Sequence, residues 1–97
     1  MPAYISLVNF TDQGIRNVKE SVKRAQAVVK AVEAAGGQKI GIWWTVGQYD
    51  LVFIAEFPDN VTAMRILMAT GMQGNVRTNT LEAFSEEEME HIVQGLP

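Results

Sequence analysis

The chain has 97 residues, 47% of them apolar, which is enough for one domain with a single core and too few for two, so residues 1–97 are expected to form one domain. A net charge of −3 with only eight Lys and Arg argues against nucleic-acid or anionic-membrane partners, and the absence of cysteine excludes disulfides, thiolate nucleophiles and thiolate metal sites. No apolar run approaches the roughly 18 residues that span a bilayer, and no basic stretch followed by an apolar one opens the chain, so a cytoplasmic protein is expected.

Residues Tyr4 to Phe10 alternate, with Ile5 and Leu7 on one side and Tyr4, Val8 and Phe10 on the other, and read as a first strand. Thr11 or Asp12 can cap a short helical turn through Ile15 and Val18, which Gly14 weakens. Ser21 can cap a longer helix in which Val22, Ala25, Val28, Val29, Val32 and Ala35 recur at helical spacing, while Lys23, Arg24, Lys30 and Glu33 lie on other faces. Gly36-Gly37 stops it.

Two apolar runs, Ile40 to Val46 and Leu51 to Phe57, flank the turn Gly47-Gln48-Tyr49-Asp50 and predict a hairpin. Adjacent Trp43 and Trp44 must point to opposite faces of a pleated strand, one expected in the intramolecular core and the other at a protomer interface or pocket. Pro58, Asp59 and Asn60 close the second strand and cap a helix with Val61, Met64, Leu67 and Met68 on one face, ending near Gly71. Asn75 to Phe84 form the fourth strand, and Ser85 with Glu88 has the spacing of a capping box for a last short helix through Met89, Ile92 and Val93.

The order β-α-β-β-α-β predicts an α+β, ferredoxin-like domain. Its four-stranded antiparallel sheet has strand order 4-1-3-2, with both long helices on one face. The opposite face then carries a tryptophan and a set of strand apolar residues, a larger patch than a soluble monomer leaves exposed, so a homodimer or higher homo-oligomer is expected.

The segments Tyr4-Ile5-Ser6-Leu7 and Asn9 to Lys19, the turn Gly47-x-Tyr49-Asp50, and Gly74-Asn75-Val76-Arg77-Thr78-x-Thr80-Leu81-x-Ala83-Phe84 resemble the GYD domain family of small bacterial proteins over nearly the whole chain. The resemblance implies the ferredoxin-like fold of the dimeric α/β-barrel class, and it implies no established activity. Val22 follows Ser21 where many relatives place a helix-starting proline, a departure that touches a cap. The hairpin and its turn are also similar to the small-molecule-binding module of leucine-responsive bacterial regulators, which binds amino acids between protomers, although no helix-turn-helix precedes the domain here.

No hydrolase, thiol, dinucleotide or phosphate-loop signature is present. His91 and Glu87 share one helical face, but two ligands make a poor metal site beside the solvated Glu86, Glu87, Glu88 and Glu90, so no metal and no cofactor are expected. A ligand site is expected from Asn9, Trp44, Tyr49, Asp50 and Arg77, between the hairpin turn and the start of the fourth strand. There Arg77 would hold a carboxylate, Asn9 and Tyr49 would orient the ligand and Trp44 would supply an apolar wall. Its ligand would be a small organic anion or a polar aromatic metabolite. Arg16 and Lys19 could steer the anion toward it. The bland alternative has Asp50 bonding turn amides, Tyr49 packing as cover and Glu56 pairing with Arg77 across strands. Two other functions fit the same residues: a stand-alone sensor that binds an amino-acid-like ligand between protomers, and a small cofactor-independent enzyme with its pocket between sheet and helices.

Overall fold

Strand β1 (Ala3–Phe10) alternates buried and half-buried side chains along its length, which places it at the centre of a sheet covered fully on one face only. In the computed structural model, which describes all 97 residues, β1 pairs antiparallel with β3 (Leu51–Glu56) on one side and with β4 (Val76–Ala83) on the other. Strand β2 (Gln38–Trp44) pairs with β3 at the edge, giving the order β2-β3-β1-β4, the expected 4-1-3-2 read from the other end. The register changes between Lys39 and Gly41, so Ile40 bulges out and leaves its side chain 52% exposed.

Tyr4, Ser6, Val8, Leu51, Phe53 and Ala55 are all buried under the helices, and Val32, Phe57 and Ala63 complete the core. Helix α1 (Asp12–Arg16) is capped by Thr11, whose Oγ1 accepts from the Gly14 amide at 3.1 Å. Helix α2 (Ser21–Ala34) follows a 3-10 turn. Ser21 is its first residue and not its cap; the hydroxyl accepts instead from Trp44 Nε1 at 2.8 Å. Helix α3 (Asn60–Met72) buries Ala63 and half-buries Ile66, Leu67 and Thr70, whereas Val61, Met64 and Met68 face outward. Of the expected Val61-Met64-Leu67-Met68 face, only Leu67 is therefore on the packed side. Because α3 is apolar nearly all round, periodicity does not select a side, and the sheet takes the side with the small Ala63 at closest approach.

Neither tryptophan is a core residue. Trp44 lies on the helix side opposite Leu51 and Trp43 on the other side opposite Val52, so the two do face apart. They remain 42% and 53% exposed because β2 is an edge strand, although the Trp44 indole meets Ser21 at the start of α2. The Trp43 indole folds back over Gly41, where an added Cβ would lie 2.3 Å from its Cη2.

Helix α4 (Glu86–Gln94) stands off from the body, with every residue exposed, and stretches the molecule to 51 Å. Ser85 caps it in a full capping box, as the spacing predicts. The Glu88 carboxyl is held below its ordinary range by the Ser85 amide, and Asp59, the cap of α3, is held low by the Thr62 amide. A depressed carboxyl contributes stability above its unfolded value and loses it as pH falls through the folded one, so both helix starts should weaken below about pH 4. Asn is also a good cap, so Asp59→Asn should lose less stability than the wild type between about pH 4 and pH 3 in a melting-temperature series. Equal losses would contradict this.

Candidate functional site

The turn that follows β2 is built to hold two strands together. Thr45 N donates to Asp50 O at 2.8 Å and Thr45 Oγ1 to Tyr49 O at 2.6 Å, which closes the hairpin. Asp50 then joins the turn to β1: its amide donates to Val8 O at 2.9 Å and its carboxylate Oδ2 accepts from Phe10 N at 2.8 Å. The carboxylate thus continues the β1–β3 ladder one rung beyond the last backbone pair, a structural role for the acid of the turn.

Asn9 and Arg77 sit opposite each other across β1 and β4, on the sheet face turned away from the helices. Trp44 is on the helix side, and Tyr49 and Asp50 are half-buried in the turn. The structure therefore brings Asn9 and Arg77 together and separates them from Trp44. Glu56 lies level with Ala3 and Arg77 level with Asn9, at opposite ends of β1, so the expected Glu56–Arg77 pair does not form. Arg16 and Lys19 are exposed, on α1 and on the 3-10 turn. Glu87 and His91 are exposed on α4, and no three His, Cys, Asp or Glu side chains are grouped to hold a metal ion.

Two other features are better formed. The first is a cavity of about 80 Å³ between the sheet and helices α2 and α3, walled by Val8, Val28, Phe53 and Ile66 and bordered by Arg24 and Asn75. At its far end Tyr4 donates its hydroxyl to Asn60 Oδ1, and burial, with the Glu82 and Asp59 charges adding, pushes the phenol up, so it remains a neutral donor. The second is the open sheet face, where Trp43, Val52 and Leu7 form one apolar row and Ile54, Ile5 and Leu81 the next, with Asn9 and Arg77 at one end. Pleating and the two tryptophans point to this face in the sequence. Arg24 carries a weaker signal: it precedes Val28 by one helical turn and so borders the apolar stripe of α2.

A family model described as the GYD domain matches residues 4–93. A relative from Thermus thermophilus, the glutamine synthetase and cystathionine beta-lyase binding protein, is 32% identical over 84 residues, covering 86% of this chain and 88% of that protein. The crystal structure of TTHA0845, also from Thermus thermophilus, matches 88% of this chain and 95% of its own with a TM-score of 0.54 at 23% identity, a likeness of fold. No helix of the chain is long and apolar enough to cross a membrane.

Proposed function

The chain belongs to the GYD domain family, and from that premise we propose that it is a homodimeric binding protein that docks on metabolic enzymes, glutamine synthetase and cystathionine β-lyase first among them. The observation that carries this reading is surface. The chain exposes 6705 Å², whereas a compact monomer of 10.7 kDa exposes about 5,500 Å². The excess, roughly 1,200 Å², is more than the approximately 800 Å² that each partner contributes to a standard interface.

Two apolar surfaces make up much of it. The open sheet face carries apolar rows from all four strands, which suits a second copy of the chain related by a two-fold axis. Helix α4 carries Met89, Ile92 and Val93 with no body of its own beneath them, and would lie across the partner protomer. Dimerisation leaves the outward stripe of α3, Val61, Met64, Met68 and Met72, still exposed. Methionines adapt to irregular partner surfaces, and this stripe supplies the enzyme-facing side.

Isothermal titration of the protein into purified glutamine synthetase and, separately, cystathionine β-lyase from its own host tests the reading. Saturable heat with at least one of them, lost in Met64→Asp/Met68→Asp, is the expected outcome. Absence of binding to both enzymes would overturn it. One observation favours a second reading, a sensor for an amino-acid-like anion between protomers: Arg77 faces Asn9 on the open surface with no acidic partner.

A further inference from the structure

We propose that the cavity between the sheet and helices α2 and α3 is a binding site for a short branched-chain monocarboxylate, with its alkyl end among Val28, Phe53 and Ile66 and its carboxylate on the Arg24 guanidinium. This site is separate from the surfaces assigned to protein partners and does not depend on them.

Arg24 is half-buried at the border of the cavity, and its placement is fixed by neutral groups. Nη1 donates to Asn17 O at 2.8 Å, Nη2 donates to Gly14 O at 3.2 Å, and the guanidinium carbon lies 6.0 Å from the centre of the Phe10 ring. Backbone carbonyls and an aromatic face orient the cation without neutralising it. No acidic side chain pairs with it; the single ion pair of the structure is Lys23 with Glu20, at 3.8 Å and exposed. A guanidinium presents about five N–H donors, so those left over from the two carbonyls can meet a carboxylate in the planar geometry the pair prefers. The fixed rotamer lowers the ordering cost of binding.

The rest of the cavity decides what the anion carries. Its walls are mostly aliphatic and aromatic, which disfavours a second charge or a polar chain. A volume of about 80 Å³ is roughly half that of the apolar cavity of about 150 Å³ that accommodates benzene, which corresponds to three or four carbons. Isobutyrate and isovalerate satisfy both conditions, whereas acetate leaves the cavity empty and octanoate exceeds it.

The test is a series of amide ¹H–¹⁵N spectra of the whole protein, titrated at constant ionic strength with acetate, isobutyrate, isovalerate, octanoate and the neutral isobutyramide. Saturable shifts centred on the first turn of α2 and on Phe10 are expected with isobutyrate and isovalerate, and isobutyramide should bind about tenfold more weakly or worse. Arg24→Gln should reproduce that loss, and Arg24→Lys should recover part of it. If Arg24→Gln fails to fold, the comparison of acid with amide on the wild type decides alone. Equal binding of isobutyrate and isobutyramide, tighter binding of octanoate, shifts centred on Arg77 and Asn9, or no saturable shift would each overturn the proposal.

Discussion

Replacing Ile54 by aspartate should divide the proposed homodimer into monomers. Ile54 lies level with Ile5 of β1 and Gly41 of β2, in the middle of the face that the helices leave open. A charge placed at the centre of an apolar interface loses its hydration without gaining a partner, and central positions of this kind cost about 2 kcal/mol or more. Two-fold symmetry counts the change twice, so dimer affinity should fall on the order of a thousandfold. Light scattering at micromolar concentration reads the result. Met68→Asp, on the 63% exposed outer side of α3, is the control and should leave the dimer intact. A dimer that survives Ile54→Asp would mean that the sheet face is not the interface.

The second large effect should come from one methyl group at Gly14. This residue is buried where α1 passes over the residue that precedes β4, and an added Cβ would stand 1.9 Å from the carbonyl oxygen of Asn75 and 2.8 Å from its carbon. The obstacle is backbone. Asn75 O accepts from Thr11 N at 3.1 Å and Thr11 Oγ1 donates to Gly74 O at 2.5 Å, so neither segment can give way without losing bonds. Overpacking at a backbone contact of this kind should cost on the order of 3 kcal/mol, visible as a lower denaturation midpoint with an unchanged slope. The Gly14 carbonyl also holds Arg24, so the variant should bind isobutyrate more weakly than the wild type. A midpoint equal to that of the wild type would show that α1 moves freely over Asn75.

Gly14 illustrates where the sequence is readable and where it is not. Read along the chain it is a weak helix residue, since nothing local reveals that Asn75, about sixty positions away, requires the space. The strand alternation, the hairpin and the Ser85 capping box are carried by short-range pattern, the strand order follows from the order of elements and the handedness of crossovers, and each appears in the structure. Failures occur where long-range packing chooses among equivalent local options. The apolar residues of α3 offer two packable sides, and the sheet selects Ala63 over Met64 and Met68. One of Trp43 and Trp44 reads as core by hydrophobicity alone, but the edge position of β2 leaves both largely exposed. The sites follow the same division: Asp50 is legible as a turn residue and proves to clamp β1, whereas Asn9 and Arg77 are parted from Trp44 by the sheet itself. Arg24, a surface cation by spacing, is drawn inward by two carbonyl groups that belong to a different helix and a turn.

Native mass spectrometry of the protein mixed with purified glutamine synthetase of its host tests the account most directly, because it reports self-association and docking together. The proposed reading predicts that the free protein has about twice the 10.7 kDa mass of one chain, and that the enzyme gains mass in steps of two chains. A free monomer beside an enzyme of unaltered mass would contradict it.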